Sequence, residues 1–389
     1  MKTSTRCVQL GRGHDAYGAI VPPIYQTATF EQPTATEFGE YDYTRSGNPT
    51  RTLLEQQLAD LEEAGYASCF ASGMAALTAL TRIVKAGEEI IAGDDLYGGT
   101  VRLLDRLASH QNISVRYVDT TNGAELRKAV TDRTRLVLIE TPSNPLFRIS
   151  HIRELASIAR EAGAYLAVDN SMLSPVFQRP LNCGADIVVH SATKFLCGHS
   201  DVTAGALITN DPALHKQISF QQNAEGAGLS PFESWLLLRG LKTLALRVER
   251  QNASAEKVAR FLQTRPEVSK VFYPGLRDHP GRKIHCKQAN GNGAVVSFTT
   301  GDDKLSSEIV ESTRLFKVAV SFGSVGSTIS LPCRMSHASI PRALRDRLAP
   351  PSDLVRLSVG IEDPDDLLED LERVFEFSSR RRQLEEAYG

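Results

Sequence analysis

Short apolar strands alternate with helical patterns over roughly residues 50–240, and this alternation constrains the fold more than any other feature of the chain. Strands rich in Val, Ile and Leu that are separated by helices are typical of a mainly parallel sheet covered on both faces. The predicted strands lie around residues 67–70, 89–92, 114–118, 136–139, 165–168 and 186–190. The sequence therefore predicts an α/β fold for this part of the chain.

Changes in composition and in hydrophobic pattern divide the 389 residues into three parts. Residues 1–49 contain four prolines and scattered aromatic residues, which predict an irregular N-terminal arm. Residues 50–245 form the predicted α/β domain. Strand patterns over 291–299 and 328–331 and a helical pattern over 363–375 predict a smaller α+β domain for residues 246–389.

Polar or glycine-rich segments directly follow five of the predicted strands. In open parallel sheets, ligands bind at the carboxyl ends of the strands. Because five strand ends carry such segments, the sequence predicts a single site to which all five segments contribute. The segments are Ser72-Gly73-Met74, Asp94–Gly99, Thr141–Pro145, Asp169-Asn170 and Ser191–Lys194.

Two of these segments offer groups that bind phosphate. Gly73 begins a predicted helix, where free backbone N–H groups and the helix dipole favour an anion. Ser191 and Thr193 place two hydroxyl groups just before Lys194. Each segment can also have a purely structural role, because Ser72 is typical of a helix cap and the two hydroxyls are typical of the loop that follows a strand.

Three further residues complete a chemical set. Lys194 follows a strongly apolar strand, and burial would lower the pKa of its amine enough for a Schiff base, although most lysines are solvated. Asp169 ends a buried strand, so its carboxylate needs a partner, unless it only caps the turn. Tyr97 has a ring that can cover a flat ligand or pack on the core. Pyridoxal phosphate requires this combination of phosphate cradle, carboxylate, aromatic ring and lysine.

Charge and cysteine usage exclude several other classes of protein. The 44 Lys and Arg residues against 46 Asp and Glu residues leave a net charge of −2, so no basic surface for nucleic acid or an anionic membrane is expected. No apolar run reaches the roughly 18 residues that a membrane span requires. The six cysteines and nine histidines follow no metal-binding spacing, which predicts no metal site. Scattered cysteines and the lack of a secretory signal predict a reducing, cytoplasmic setting.

Seven segments, which occur in the family's order, resemble the motifs of the Cys/Met-metabolism family of pyridoxal-phosphate enzymes. This family includes cystathionine γ-synthases, β-lyases and γ-lyases, and the resemblance extends from about residue 22 to 375. The segments are YDYTRSGNPTR (41–51), SGMAA (72–76), YGGT (97–100), ETPSNP (140–145), VDNS (168–171), DIVVHSATKFLCGHS (186–200) and LVRLSVGIED (354–363). The resemblance implies an aspartate-aminotransferase-like (fold type I) large domain with pyridoxal 5'-phosphate as the cofactor.

The resemblance also implies roles for individual residues. Lys194 holds the cofactor and later shuttles protons, and it is catalytic together with Tyr97, whose ring stacks on the cofactor. Asp169 pairs with the pyridine nitrogen. The phosphate is bound by the backbone of Gly73 and Met74 and by the side chains of Ser191 and Thr193.

Other implied residues bind the substrate or the neighbouring subunit. Arg356 grips the substrate α-carboxylate, Asn144 lies near the ring hydroxyl, and Ser327 lies near the lysine and the substrate. Tyr43 and Arg45 reach the phosphate of the neighbouring subunit, which explains the irregular arm. The resemblance implies a homotetramer, a dimer of dimers with active sites shared between chains.

The expected activity is β-elimination of an amino-acid thioether, L-cystathionine, to L-homocysteine, pyruvate and ammonia, a step towards methionine. In γ-specific members an acidic residue commonly precedes the serine that we match to Ser327, and this chain has Gly326 there. Methionine γ-lyases carry a cysteine where this chain has Gly99. Several segments are also most similar to plant-type and related bacterial cystathionine β-lyases.

Alternatives stay open from the sequence alone. Within the family they are a cystathionine γ-synthase, a homoserine-ester sulfhydrylase and a cystathionine γ-lyase. A nucleotide-binding α/β protein would need GxGxxG after the first strand, which this chain lacks. A catalytically inactive homologue would have no reason to keep Lys194, Asp169, Tyr97 and Arg356 together.

Overall fold

The computed structural model describes residues 1–9, 15–338, 340, 344–345 and 348–388. Residues 10–14 of the predicted arm and residues 339, 341–343, 346–347 and 389 of the predicted C-terminal domain lie outside this description. None of the described helices is long and apolar enough to cross a membrane.

A seven-stranded sheet forms the centre of the larger part of the chain. Its strands lie side by side in the order β1-β7-β6-β5-β4-β2-β3. All neighbours are parallel except that β7 runs antiparallel to both β1 and β6. The strands are β1 (Tyr66–Phe70), β2 (Glu89–Gly93), β3 (Ser114–Val118), β4 (Thr134–Glu140), β5 (Tyr165–Asp169), β6 (Ile187–His190) and β7 (Gly205–Thr209).

The predicted mainly parallel α/β sheet is therefore confirmed, and every strand predicted before residue 200 is present. The strand β7 was not predicted. Its sequence GALIT is short, and it follows the loop that contains Lys194 without an intervening helix, so the alternation of helix and strand breaks there. Because β7 is antiparallel to both of its neighbours, β1 still points the same way as β6, and the five predicted strand ends share one edge.

Helices cover both faces of this sheet and bury its apolar side chains in two main layers. One layer lies between the sheet and α3, α4 and α8, and the other includes α2, α9 and α10. The helices up to residue 263 are α1 (Thr3–Val8), α2 (Pro49–Glu62), α3 (Gly73–Thr81), α4 (Gly98–His110), α5 (Gly123–Ala129), α6 (Ile152–Glu161), α7 (Ser174–Phe177), α8 (Pro212–Ala224), α9 (Pro231–Leu241) and α10 (Leu244–Gln263).

A second sheet of five strands follows, in the order β10-β11-β12-β9-β8. It is antiparallel except for the β10–β11 pair, and it packs on α10, α12 and α13 through a core of its own. Its strands and helices are β8 (Lys270–Phe272), α11 (Arg282–Gln288), β9 (Val295–Thr299), α12 (Asp303–Ser312), β10 (Lys317–Val318), β11 (Thr328–Ser330), β12 (Val355–Ser358) and α13 (Pro364–Tyr388).

The boundary predicted at residues 245 and 246 falls inside α10. This helix contributes Leu244, Ala245 and Val248 to the core of the first sheet and Ala255 and Val258 to the core of the second. A continuous helix thus joins the two sheets, and the division into domains at this point stays a prediction.

Candidate active site

A cavity of about 470 Å³ lies at the carboxyl edge of the seven-stranded sheet. Side chains from the second sheet close it from the other side. The lining includes most of the residues predicted for the site, namely Gly73, Met74, Tyr97, Asn144, Asp169, Ser191, Thr193, Lys194 and Arg356. The structure therefore brings together nine of the twelve residues predicted from the sequence, and Tyr43, Arg45 and Ser327 lie elsewhere.

The N-terminus of α3 forms a cradle at one end of the cavity. Ser72 caps this helix, since its hydroxyl accepts a hydrogen bond from the Ala75 N–H at 3.0 Å. The backbone N–H groups of Gly73 and Met74 follow this cap in the first turn, where no intrahelical acceptor exists for them. A Cβ atom on Gly73 would meet the Cβ of Ser191 at 3.0 Å, so only glycine keeps this approach open. The cradle suits a small anion such as a phosphate group.

Thr193 and Ser191 are held firmly at the same end of the cavity. The Thr193 hydroxyl accepts a hydrogen bond from the Ala204 N–H at 2.9 Å and donates to the Ala204 carbonyl at 3.2 Å. The backbone N–H of Ser191 donates to the hydroxyl of Ser171 at 2.6 Å. Both side chains line the cavity, so two hydroxyl groups face the cradle of α3.

Lys194 projects into the middle of the cavity from the turn after β6. Its Nζ donates to the Ser321 hydroxyl at 2.5 Å. Burial, and then the charge of Arg356, lower the pKa of the Lys194 amine from 10.5 to about 8, against the opposing effect of Asp169. The turn itself is fixed by Arg247 of α10, whose guanidinium donates to the carbonyl of Phe195 at 2.8 Å. A fraction of the amine is therefore neutral and nucleophilic near neutral pH.

Two carboxyl groups lie side by side at the ends of β4 and β5. Glu140 and Asp169 are paired in the register of these strands, and both line the cavity. Asp169 accepts a hydrogen bond from the Ser171 N–H at 2.9 Å. Burial raises the pKa of Asp169, while Ser171, His190 and Lys194 act to lower it. Asp169 is thus the member of the pair whose charged form is favoured by the hydrogen bonds of Ser171 and by the charge of Lys194.

Tyr97 precedes α4, is 39% exposed as a residue, and lines the cavity. The ring makes an edge-to-face contact with His337, with 6.3 Å between the centroids. A Cβ atom on Gly99 would collide with the Tyr97 ring, so the absence of a side chain at residue 99 makes room for it. An exposed ring held on one edge is suited to cover a flat ligand.

Arg356 lies on β12 and is only 2% exposed. Its Nη1 donates to the Asn144 side chain at 2.8 Å, and its Nη2 donates to the Ser321 carbonyl at 2.9 Å. Its Nε is buried without a partner. Burial lowers the pKa of the Arg356 guanidinium to about 10. A buried guanidinium with an unused donor at the cavity wall is suited to bind a carboxylate.

The structure does not bring Ser327 to the cavity. Its hydroxyl donates to Glu362 at 2.9 Å and accepts from the Gly360 N–H at 2.8 Å, so this side chain is occupied in the second sheet. The serine beside the lysine is Ser321. The predicted position of Ser327 near the lysine is therefore wrong, because the sequence pattern was matched six residues too late.

The same shift affects the residue used to separate β- from γ-chemistry. Gly326 does not line the cavity, whereas Val320, which precedes Ser321, does. A residue that distinguishes the two chemistries has to reach the cavity, which Gly326 does not. The apolar side chain of Val320 does reach it, and it has no group that could transfer a proton.

Tyr43 and Arg45 lie away from the cavity that contains Lys194. Arg45 donates to the side-chain oxygen of Asn223 at 2.6 Å, and its guanidinium lies 5.5 Å from the centre of the Tyr43 ring. Both line a separate surface cavity of about 410 Å³. Within one chain they do not contribute to the main site, and their role at a neighbouring subunit stays a prediction.

Sequence reasoning missed several residues that line the cavity, among them Glu140, Val320, Ser321 and Phe322. Two basic groups lie near the Phe322 ring, with the Lys194 Nζ 5.1 Å and the Arg356 guanidinium carbon 5.3 Å from its centre. No signal in the sequence marks this run, because its distinguishing feature is the left-handed backbone, with a φ of +80° at Ser321 and +88° at Gly323. Such left-handed residues cluster at functional sites.

These features define a class of protein. The lysine of lowered pKa, the anion cradle on α3, the carboxylate Asp169 and the exposed ring of Tyr97 fit the aldehyde, phosphate, pyridine nitrogen and ring face of pyridoxal phosphate. They lie on a mainly parallel sheet at its carboxyl edge, where cofactors bind in such folds. Among the described residues, no group of three or more His, Cys, Asp or Glu side chains could hold a metal ion. The fold and site are those of a pyridoxal-phosphate-dependent enzyme.

Comparison with known proteins identifies the family. The profile of the family described as "Cys/Met metabolism PLP-dependent enzyme" matches residues 4–376, and the chain belongs to this family. The chain is 54% identical over 372 residues to the chloroplastic cystathionine beta-lyase of Arabidopsis thaliana, a match that covers 96% of this chain and 80% of the relative. It is 52% identical to the cystathionine beta-lyase of Neurospora crassa, covering 92% and 79% of the two chains.

A solved structure supports the fold as well. The crystal structure of cystathionine gamma-lyase from Lactobacillus plantarum complexed with L-serine matches with a TM-score of 0.93 and 42% identity. The match covers 96% of this chain and 98% of the other. The predicted fold class and the predicted pyridoxal phosphate cofactor are confirmed by these comparisons.

Proposed function

We propose that this protein is a carbon–sulfur lyase that cleaves L-cystathionine by β-elimination. With one water molecule the reaction yields L-homocysteine, pyruvate and ammonia. The observation that carries the proposal is the similarity to the cystathionine beta-lyases of Arabidopsis and Neurospora over more than nine-tenths of the chain. A homoserine-ester sulfhydrylase, a cystathionine γ-synthase and a γ-lyase are the competing candidates, and a γ-lyase is among the similar structures.

The cofactor would be held by residues of the seven-stranded sheet. The N–H groups of Gly73 and Met74 and the hydroxyls of Ser191 and Thr193 bind the phosphate, which explains why the cradle contains two hydroxyls and no acidic side chain. Asp169 pairs with the pyridine nitrogen and keeps its proton there. The ring of Tyr97 covers one face of the cofactor.

The substrate would be held mainly by its α-carboxylate. Arg356 carries the charge for this contact, and its Nε is the donor that has no partner in the protein. Asn144 fixes the guanidinium through the 2.8 Å hydrogen bond to Nη1. A substrate bound in this way would have its α-carbon on the Lys194 side of the cavity, because Ser321 contacts both Lys194 and Arg356.

Lys194 then acts as the base and the acid of the elimination. When bound, pyridoxal phosphate accepts the electron pair that is released at the α-carbon. The neutral Lys194 amine removes the α-proton, the bond between Cβ and sulfur breaks, and the thiolate of homocysteine takes up a proton from the same amine. Ser321 keeps the Nζ atom beside the α-carbon through its hydrogen bond to the lysine.

The cavity wall near Lys194 supports β- over γ-elimination. γ-Chemistry requires a further proton transfer at the β-carbon, and Val320, which precedes Ser321 in the lining, has no group that can accept or donate a proton. Gly99 keeps the space beside Tyr97 free of a thiol. Both features agree with a lyase that breaks the bond between Cβ and sulfur and does not carry out γ-elimination.

The proposal includes a homotetramer, a dimer of dimers, in the cytoplasm. The arm exposes large apolar side chains, with Tyr17 97% and Ile20 88% exposed in a single chain. Together with Tyr43 and Arg45, which contribute nothing to the site of their own chain, these residues support an arm that packs on a neighbouring subunit. The cysteines of the described residues are free thiols, which suits a reducing compartment.

Product analysis with L-cystathionine and added pyridoxal phosphate tests the proposed function. Homocysteine with pyruvate supports β-cleavage, whereas cysteine with 2-oxobutyrate identifies a γ-lyase and contradicts the interpretation of Val320. If no turnover occurs, an O-acylated homoserine with cysteine tests the synthase. Lys194→Ala, which should be colourless and inactive, is compared with the exposed Lys216→Ala as a matched control.

A further inference from the structure

Glu140 lies beside Asp169 at the end of the cavity assigned to the pyridine nitrogen. The two residues end β4 and β5 and are paired in the register of these strands. Side chains at paired positions of adjacent strands point to the same face, about 4.8 Å apart. Both carboxyl groups line the cavity. A site that needs one carboxylate for one pyridine nitrogen therefore contains two carboxyl groups.

The contacts of Glu140 differ from those of Asp169. Its Oε1 accepts a hydrogen bond from the backbone N–H of Tyr97 at 2.9 Å, and the backbone N–H of Asn144 also faces this carboxyl group. Tyr97 is the N-cap residue of α4, and its side chain accepts no hydrogen bond from the first turn of this helix. Glu140 thus fixes the backbone of the residue whose ring faces the cavity, and it reaches the loop that supports Arg356 through Asn144.

The charges around the two carboxyl groups indicate that Glu140 is protonated and Asp169 is charged. Burial, followed by the negative charges of Asp169 and Asp95, raises the pKa of Glu140 well above its usual value. The charge of Lys194 and the hydrogen bonds of Ser171 act on Asp169 and stabilise its charged form. Two adjacent buried carboxyl groups do not both ionise, because like charges in a low-dielectric site repel strongly. A protonated carboxyl group still has a carbonyl oxygen that accepts a hydrogen bond from Tyr97.

We propose that Glu140 is a positioning residue that acts as a neutral hydrogen-bond acceptor: it fixes the backbone of Tyr97 so that the ring covers the cofactor, and it leaves the negative charge at the pyridine nitrogen to Asp169 alone. The inference rests on the proposed contacts of Tyr97 and Asp169 with pyridoxal phosphate. It does not depend on which thioether the enzyme cleaves.

Cofactor retention in the holoenzyme separates a neutral acceptor from an anion. Glu140→Gln keeps the acceptor oxygen without a charge, Glu140→Ala removes the acceptor, and Asp169→Asn removes the neighbouring charge. The exposed Glu161→Gln serves as the matched control. Each holoenzyme is diluted and dialysed, and the bound pyridoxal phosphate is followed by its visible absorption and its Kd, without any substrate.

The proposal requires that Glu140→Gln retains the cofactor within about twofold of the wild type, with the same absorption maximum. Loss of one buried hydrogen bond in Glu140→Ala weakens cofactor binding roughly tenfold. A Gln variant as weak as the Ala variant would overturn the proposal, because the charge would then be the property that matters. An Ala variant that binds as tightly as the wild type would overturn the positioning role.

Two further outcomes of this experiment also have a defined meaning. Thermal unfolding shows whether Glu140→Ala folds. If it does not fold, Glu140→Gln alone decides: cofactor retention at the wild-type level supports the neutral acceptor, and loss of the cofactor contradicts it. If Asp169→Asn also keeps the wild-type affinity and absorption maximum, the proposed contact of Asp169 with the pyridine nitrogen has failed. That outcome would also overturn the division of charge between the two residues.

Discussion

Asn144 and Arg356 are 212 residues apart in sequence, and their side chains are joined by a 2.8 Å hydrogen bond at the cavity wall. Asn144 follows β4 of the seven-stranded sheet, and Arg356 lies in β12 of the second sheet. The bond therefore fixes the guanidinium of one sheet against the loop of the other. The geometry of the proposed carboxylate contact depends on how the two sheets pack together.

Substitution of Arg356 by Lys should raise KM more than it lowers kcat. Lysine keeps the charge but has a single donor nitrogen, so it cannot contact Asn144, the Ser321 carbonyl and a carboxylate at once. Loss of a charge-assisted hydrogen bond corresponds to roughly 10- to 100-fold in KM. Steady-state kinetics of Arg356→Lys with L-cystathionine measure this.

The exposed Arg127→Lys is the control and should have wild-type kinetics, since its partner Glu161 lies at the surface. Asn144→Ala should show a smaller rise in KM than Arg356→Lys. Unchanged KM in both site variants would show that the substrate carboxylate binds elsewhere.

Ser321 and Ser327 give opposite expectations. Ser321→Ala removes the hydrogen bond to Lys194 and should lower kcat about tenfold with little effect on stability, because the hydroxyl acts on the reacting amine. Ser327→Ala removes a buried hydroxyl between Glu362 and Gly360 and should lower the free energy of unfolding by about 1–3 kcal/mol. Denaturant titration and kinetics of both variants test the pair.

In this comparison each serine is the control of the other. A loss of kcat in Ser327→Ala at full stability, with no effect in Ser321→Ala, would restore the residue that the sequence alone had indicated.

The pKa of Lys194 predicts a pH dependence of stability for the protein without cofactor. The amine has a pKa of about 8 in the folded chain against 10.5 for an ordinary lysine. Between these values the unfolded chain binds more protons, so this group makes the free energy of unfolding rise with pH. Below pH 8 the buried charge costs stability, and Lys194→Met removes that cost. The stability advantage of the Met variant should therefore shrink as the pH is raised from 8 to 10.

Urea titrations at several pH values measure this difference, and Lys216→Met serves as the exposed control. An advantage of the Met variant that is constant over the whole range would contradict the lowered pKa.

Mixed dimers test the proposed role of the arm. When Lys194→Ala and Arg45→Ala chains are mixed and allowed to exchange, half of the dimers are hybrids. If Arg45 serves the site of the neighbouring subunit, each hybrid has one site with both residues intact. Activity should therefore recover to about a quarter of the wild-type value. If Arg45 serves its own chain, no hybrid site is intact and the mixture stays at the level of the separate variants.

The sequence predicted the seven-stranded sheet well because its strands are short, apolar and separated by amphipathic helices. It also located the strand ends that form the site, since chain direction alone determines which ends meet. The strand β12 was not predicted, although its motif was noted around Arg356. Its four residues are buried between β11 and β9, and such a short run carries no period of its own.

The error at Ser327 has a physical cause. The run from Ser321 to Ser327 contains three serines and two glycines, so spacing does not reveal which hydroxyl faces the lysine. That choice depends on the left-handed backbone of Ser321 and on the packing of Phe322 against Lys194 and Arg356. The role of Glu140 was missed for a similar reason, because the pairing of β4 with β5 that sets it beside Asp169 exists only in the folded sheet.

The position of β12 also has a consequence for synthesis on the ribosome. This strand lies in the centre of the second sheet, yet it is the last of the described strands along the chain. Because β11 and β9 have no common neighbour until β12 emerges, the nascent chain can assemble the seven-stranded sheet long before the second one. The residues of the proposed phosphate cradle and Lys194 are thus synthesised and able to fold well before Arg356, so the wall proposed to bind the amino acid is the last part of the cavity to form.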